Sequence, residues 1–353
     1  MTVDDAAAGT PTDAGPPPRD AVVGTAGGRS PAQGQGRKRG RKRRDEFQMV
    51  PDAVFTSYYG RPVVKPAPWT DDIPAYLFLG GLAAGSAVLG AGADLSRRPQ
   101  LRRAGRLGAL GAITLGSAAL VHDLGKPSRF LNMLRVIKPT SPMSMGIWVL
   151  ALFGPAAGVA GAAELRGWLP GPLARLLGAT ARPAGLASAV TAPAVATYTA
   201  VLLADTATPG WHEAYRELPF VFAGSAASAA GGLAMLAVPR SEASPARRMA
   251  LAGAVMELAA AWRMESSMGM VAETLHQGRA GTMVRASKAL TLAGALGTLL
   301  ASRSRFAAVM SGAALLAGSA LNRFGIFEAG QASARDPKYS VVPQRERITA
   351  RDE

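Results

Sequence analysis

Long apolar segments alternate with short polar ones from about residue 73 to residue 322. Each segment approaches the ~20 residues that a helix needs to cross the hydrocarbon core of a bilayer. The pattern therefore predicts an all-α integral membrane protein that crosses the cell membrane several times. We place eight spans at about 73–94, 105–122, 144–164, 184–204, 218–238, 249–265, 285–302 and 306–322.

Glycine and alanine dominate these segments, as in GGLAAGSAVLGAGA and GSAASAAGG. Small residues spaced four apart let helix backbones approach each other closely in lipid. The sequence therefore predicts a tightly packed helix bundle and not a wide pore.

The chain divides into four regions by composition. Residues 1–45 are rich in Pro, Gly and Ala and run into RKRGRKRR, which predicts a disordered basic tail that tethers to lipid headgroups. Residues 46–70 contain four prolines and clustered aromatics, typical of a surface segment with Trp69 as an interface anchor. The transmembrane domain follows at 71–322, and a polar C-terminal tail at 323–353.

The formal net charge is +15, although only 18% of the 353 residues are charged. A basic protein invites comparison with nucleic-acid binders, but basic patches interleaved with aromatic residues are missing. Most Arg and Lys residues lie in the tails or at the ends of apolar segments, where they favour contact with anionic lipid. We expect membrane lipid and no nucleic acid as a partner.

The chain has no cysteine and three histidines. It therefore cannot form disulfides or hold an iron–sulfur cluster with its own thiolates, and an all-protein zinc site is improbable. We expect no haem or metal bound by this chain. Any redox role needs a borrowed or diffusible cofactor.

One stretch between two spans, HDLGKPSRFLNMLRVIKPTSPMSMGIW, is crowded with charge, proline and hydrogen-bonding groups. An even number of spans places it on the same side of the membrane as both tails, which we call side A. Asp72 and Tyr76 lie four apart at the side-A end of the first span, hence on one helix face. Tyr198 lies near the side-A end of the fourth. Polar groups at membrane depth are costly, and they mark a pathway or a site.

The run DLGKPSRFLNMLRVIKPTSPMSMGIW resembles the signature loop of the NrfD/PsrC-like family, the membrane subunits associated with polysulfide and nitrite reductases. YLFLGGLAAGSAVL is similar to the first helix of that family. The tail AGQASARDPKYSVVPQR resembles members found beside molybdenum- or tungsten-dependent formate dehydrogenases. The resemblance covers roughly residues 70–345.

The resemblance implies eight helices in two four-helix bundles, with no haem or metal. It further implies docking to a 4Fe-4S ferredoxin-like subunit, which contacts a molybdopterin catalytic subunit, and a menaquinone or ubiquinone site near the docking face. In the family pattern a polar residue and a His lie four apart early in the first helix, and Asp72 and Tyr76 hold those places here. Tyr198 corresponds to the Tyr that precedes a P-x-W motif.

Reduction of a quinone consumes two protons as well as two electrons, so such a site needs hydrogen-bond donors and a route to water. Tyr76 and Tyr198 are the candidate donors to the quinone carbonyls. The candidate proton carriers are Asp72, His122 and Asp123. Lys126 and Arg129 are candidates to stabilise negative charge on the reduced ring or to bind the partner subunit.

Each assignment has a structural alternative. Asp123 could pair with Lys126 or Arg129 to lock the loop, and His122 could bond to backbone. Asp72 could cap the first helix, and the two tyrosines could be interfacial aromatics. Glu257, at membrane depth in the sixth span, could serve proton movement or pair with Arg263. Alternative functions are a small-solute or ion transporter and a structural anchor without quinone chemistry.

Overall fold

The computed structural model describes residues 62–352, and its regular structure is helical throughout that range. It contains eight long helices, as predicted. They are α1 Asp72–Leu95, α2 Pro99–Asp123, α3 Pro142–Ala163, α4 Gly171–Ala204, α5 Leu218–Ala237, α6 Ser244–Ser267, α7 Gly278–Leu300 and α8 Arg305–Arg335. A ninth, α9, covers Lys338–Asp352. The predictions for 1–45 and for 46–61 lie outside the described residues.

Five of the long helices, α1 to α5, are long and apolar enough to cross a membrane. Helices α6 to α8 have similar or greater length but carry more charge, since α6 alone contains Glu257, Arg263 and Glu265 within its C-terminal half. Buried polar residues of α6 and α8 have partners inside the protein, as described below. Helices α6 to α8 therefore pack against the more apolar helices. The predicted all-α membrane fold is confirmed.

The eight helices form two four-helix bundles. Helices α1 to α4 form a closed ring in which α1 packs on α2 and α4, and α3 packs on α2 and α4. Helices α5 to α8 form a second ring of the same kind. The rings meet mainly along α1 and α5, with α4 and α8 beside them. The two-bundle arrangement implied by the resemblance is thus confirmed.

Glycines occupy the points where backbones come closest. A Cβ on Gly85 of α1 would lie 2.6 Å from the backbone oxygen of Ala226 on α5, and one on Gly105 of α2 would lie 2.6 Å from the Gly90 backbone of α1. No side chain fits at either position. The small residues therefore do what the sequence pattern predicts and set the spacing between and within the bundles.

Helix α8 runs to Arg335, well past residue 322 where the sequence pattern ends the last span. The reason is that Arg323 points into the protein: it is 1% exposed and donates to the Phe222 carbonyl at 2.7 Å. The boundary predicted between domain and tail therefore falls within a continuous helix. Beyond it, Lys338 at the start of α9 bonds to Glu273 at 3.0 Å, and this hydrogen bond raises the pKa of Lys338.

Candidate functional site

The segment before α1 has no regular structure over residues 62–70, yet three contacts fasten it to side A. The ring of Trp69 stacks on Trp211 with centroids 5.7 Å apart, and Gln331 of α8 donates to the Ala67 carbonyl at 2.8 Å. Thr70 binds the end of α2. Trp69 is therefore half-buried against Trp211, and its role as an interface anchor stays a prediction.

Three predicted residues meet around Thr70. His122 Nδ1 lies 2.7 Å from Asp72 Oδ2, and the Thr70 hydroxyl lies 2.9 Å from Asp123 Oδ1 and 3.1 Å from Asp72 Oδ2. The Thr70 amide also donates to Asp123 at 3.3 Å. The side chains of His122 and Asp72 are 82% and 29% exposed, so the cluster forms a rim open to side A.

These contacts decide between the alternatives left open by the sequence. Asp123 binds Thr70, and within the described residues it forms no ion pair with Lys126 or Arg129. The His122 ring bonds to Asp72 and not to backbone. Asp71, not Asp72, occupies the N-cap position of α1, so the Asp72 carboxylate is available for His122 and Thr70.

The hydroxyl groups of Tyr76 and Tyr198 are hydrogen-bonded to each other and join α1 to α4. Tyr76 is 3% exposed and lies one helical turn inward from Asp72. The Tyr198 ring lies against Gly146 of α3, where any Cβ would overlap it. Each phenol holds one O–H hydrogen, so the bond between them uses one and leaves one free to donate elsewhere.

An apolar cavity of about 360 Å³ lies between α2, α3 and the loop that links them, and the tyrosines are not among its lining residues. Leu120 and Leu150 line it, and both also pack on the core cluster that contains Tyr76. Phe130 and Leu134 of the loop form a further wall. Its volume is in the usual range for an organic ligand. Charged residues of this loop were predicted as site residues from the sequence. Phe130 and Leu134 were missed, although apolar residues four positions apart are a recognisable pattern.

Lys126 and Arg129 lie on the loop surface and are exposed. Neither side chain hydrogen-bonds or pairs with another group among residues 62–352. The two cations thus lie at the surface, whereas Tyr76 and Tyr198 pack inside the protein, although all four residues are on side A.

A second buried polar cluster lies between α5, α6 and α8. Asn322 donates to Glu257 at 2.8 Å, and Ser228 lies 3.2 Å from the same carboxylate. Pairing of Glu257 with Arg263 was the wrong alternative, because Arg263 lies 3.9 Å from Glu217. Asn322 was missed as a partner because the pattern placed it at the end of the last span.

Within residues 62–352, no group of three or more His, Asp or Glu side chains is placed to hold a metal ion. The polar groups gathered at side A are a carboxylate–imidazole pair and a phenol pair, and an apolar cavity lies between α2 and α3 in the same half of the bundle. This set fits an uncharged organic molecule with hydrogen-bond acceptors.

Comparison with known proteins bears on the whole described region. The family model for polysulphide reductase, NrfD, matches residues 63–334. The chain belongs to the NrfD family. A search of curated proteins finds no match. NrfD proteins are integral membrane subunits of quinone-interacting oxidoreductase complexes and typically pair with iron–sulfur and molybdopterin subunits. The resemblance and the membrane location predicted from the sequence are thus confirmed, and the chain is a subunit of this class.

Proposed function

We propose that this chain is the quinone-reactive subunit of a multisubunit oxidoreductase, passing electrons between an iron–sulfur cluster of a partner and menaquinone or ubiquinone in the membrane. One observation carries the proposal. The Tyr76–Tyr198 pair lies one turn below the Asp72–His122 pair, and Leu120 and Leu150, which pack on the same core cluster as the tyrosines, line an apolar cavity. Hydrogen-bond donors, titratable groups and a space large enough for a quinone ring thus lie in the same half of the first bundle.

The cavity suits the ring and the first part of an isoprenoid tail, because its walls include Leu120, Ile147 and Leu150. A bound quinone supplies the capacity to accept two electrons and two protons. The tyrosine pair supplies one free O–H, which can donate to a carbonyl oxygen at the cavity edge. Burial of Tyr76 keeps this donor away from competing water.

The route for protons starts at His122, which is open to side A. The His122 ring is hydrogen-bonded to Asp72, and Asp72 lies on the same helix face as Tyr76. Histidine is the side chain that ordinarily takes up and releases a proton near neutral pH, so His122 is the group that would accept protons from side A. The chain thus offers titratable groups from the aqueous side to the phenol pair.

Lys126 and Arg129 belong to the docking surface in this proposal. Exposed cations that form no ion pair among residues 62–352 are available to steer and bind an acidic partner surface. Their place on the loop that forms the cavity wall brings the partner, and its cluster, close to the cavity.

We further propose a formate dehydrogenase-type complex as the setting. The support is the likeness of AGQASARDPKYSVVPQR to family members found beside such enzymes. Co-purification of molybdopterin and iron–sulfur subunits, with formate-driven reduction of a quinone, is the expected result.

The substitution Tyr198→Phe tests the site. It removes the hydroxyl but keeps the ring against Gly146, so we expect assembly to survive and quinone turnover to fall about a hundredfold. The matched control is Tyr215→Phe, at a tyrosine that is 51% exposed in the connection between α4 and α5. The measurement is quinone reduction by the complex in membranes with its own electron donor.

Unchanged turnover in Tyr198→Phe would remove the tyrosine pair from the mechanism. If no variant of the site residues changes quinone turnover in a complex that still assembles, the result would support a structural anchor without quinone chemistry. A protein that purifies alone and moves a solute across vesicles would support the transporter.

A further inference from the structure

A second cavity lies on side B, the end of the first bundle opposite the tyrosines. It has a volume of about 560 Å³. The end of α1, the start of α2, the end of α3 and the first third of α4 surround it. Its charged lining consists of five arginines and two acids, namely Arg102, Arg103, Arg106, Arg166, Arg182, Asp94 and Glu164.

The two carboxylates are shared among three of the arginines. Arg102 and Arg106 each contact both acids: they lie 2.9 Å from Glu164 Oε1 and 3.7 and 3.5 Å from Asp94. Arg182 lies 3.7 Å from Asp94. The remaining two, at positions 103 and 166, form no ion pair within residues 62–352. The cavity wall therefore keeps an excess of positive charge.

Arg106 retains one unsatisfied donor: its side chain is only 6% exposed, and although its guanidinium pairs with Glu164 and Asp94, its Nε has no hydrogen-bond partner among the described residues. A buried donor without an acceptor is unfavourable, so an oxyanion that accepts from Nε would complete the site. Gly185 of α4 leaves room for this guanidinium, since a Cβ there would lie 3.1 Å from Nη2. Gly178, two helical turns earlier, does the same for Arg166 at 3.1 Å from Nη1. Both glycines thus leave space for a guanidinium group along one face of α4.

Exposed apolar side chains lie before and after the cavity-lining residues of α4. Trp168 is 89% exposed, and Leu186 and Val190, further along α4 toward side A, are 37% and 81% exposed. Helix α4 has 34 residues, about 51 Å of helix, so its first turns extend beyond a ~30 Å hydrocarbon core into the headgroup region. A tryptophan is favoured at that depth. A free phosphate ion would make no contact with these exposed apolar side chains, whereas the acyl chains of a lipid would cover them.

We propose that this cavity binds the phosphate headgroup of an anionic phospholipid, with its acyl chains along the turns of α4 that follow Arg182 into the hydrocarbon core. Basic pockets between transmembrane helices bind acidic headgroups in this way. The bound phosphate completes the Arg106 site and ties together the side-B ends of α1, α2, α3 and α4.

The test uses the full chain purified from membranes with whatever subunits accompany it. Binding is measured to phosphatidylcholine vesicles with and without phosphatidylglycerol, and to inorganic phosphate at the same phosphate concentration. The double variant Arg103→Gln/Arg166→Gln removes two exposed, unpaired cations. We expect it to bind phosphatidylglycerol about thirtyfold more weakly than the unaltered chain.

The matched control is Arg248→Gln/Arg303→Gln, which removes two exposed arginines at the side-B end of the second bundle. It should bind phosphatidylglycerol as the unaltered chain does. A second variant, Gly178→Leu, fills the cavity without changing its charge and should also weaken binding. Its control is Gly111→Leu, where a Cβ meets nothing within 4 Å.

Equal binding of phosphatidylcholine alone would overturn the proposal. Saturation by inorganic phosphate at the same concentration would identify a free-phosphate site and overturn the lipid assignment. A loss in the arginine control as large as in the cavity variant would show general surface attraction, and would overturn the specific site.

Discussion

Asp72 and Asp123 share Thr70 as a partner but differ in everything else they bind. Asp72 bonds to the exposed His122 ring and stands one turn from Tyr76. Asp123 accepts from both the hydroxyl and the amide of Thr70. The first arrangement suits proton transfer, while the second suits anchoring of the segment before α1. The sequence named both aspartates as proton carriers, and the structure gives a reason to separate them.

We predict that Asp72→Asn lowers quinone turnover at least tenfold, since an amide cannot take up and release a proton. Asp123→Asn should lower it less than twofold, because its amide oxygen still accepts from Thr70. Turnover measured across pH 5 to 9, with assembly checked in parallel, distinguishes the two. Equal losses would return Asp123 to the proton route.

At the residue scale, some contacts were accessible from the sequence and others were not. The spacing of Asp72 and Tyr76 places them on one helix face, and the side-A position of Tyr198 follows from counting spans. The bond between Thr70 and Asp123 could not be predicted, because it joins an irregular segment to a helix end 53 positions away. Contacts of that kind depend on the tertiary fold and leave no local pattern.

At the scale of helices, apolar length predicted the eight elements well, but it placed the end of α8 too early. A run that reaches Asn322 and Arg323 looks like the end of a span, since polar residues usually leave the bilayer. Here both turn inward, toward Glu257 and the Phe222 carbonyl. Hydropathy counts residue types and cannot register that a buried partner satisfies them.

Close packing of α3 on α4 gives a prediction at this scale. Gly146→Ala places a methyl group where the Tyr198 ring lies, so the helices must move apart or the ring must turn. We expect a loss of about 1–3 kcal/mol in unfolding free energy, typical of overpacking, together with reduced quinone turnover. Gly158→Ala on the same helix is the control, because a Cβ there meets nothing within 4 Å.

Thermal unfolding of both variants in the same detergent provides the measurement. An unchanged melting temperature in Gly146→Ala would mean that the Tyr198 ring has free space around it. A matching loss in Gly158→Ala would instead indicate that glycine is needed in α3 for backbone reasons.

For the molecule as a whole, the two ends of the first bundle have different chemistry. Side A has the tyrosine pair, the open His122–Asp72 rim and the exposed cations of the α2–α3 loop. Side B has the arginine-lined cavity. Arg and Lys positions were visible in the sequence at both ends. Which of these residues line a cavity and which lie on an open surface could not be predicted, because that depends on how the four helices pack.

The exposed side-A cations predict how the complex assembles. Charge reversal by Lys126→Glu/Arg129→Glu should reduce co-purification of the iron–sulfur subunit several-fold at low salt, while the fold persists because neither side chain bonds within residues 62–352. Arg248→Glu/Arg303→Glu on side B is the control for net charge. Subunit ratios after affinity purification are the readout, and full retention in the loop variant would place docking elsewhere.

The hydrogen bond between Tyr76 and Tyr198 sets a stoichiometric limit on the site. Two phenols joined in this way have a single hydrogen to give, yet the proposed reaction consumes two. If the pair delivers both protons of the proposed reaction, it takes up a new proton after each of the two transfers, and in this proposal both arrive through His122 and Asp72. Turnover should then slow in heavy water, while the affinity for quinone remains the same.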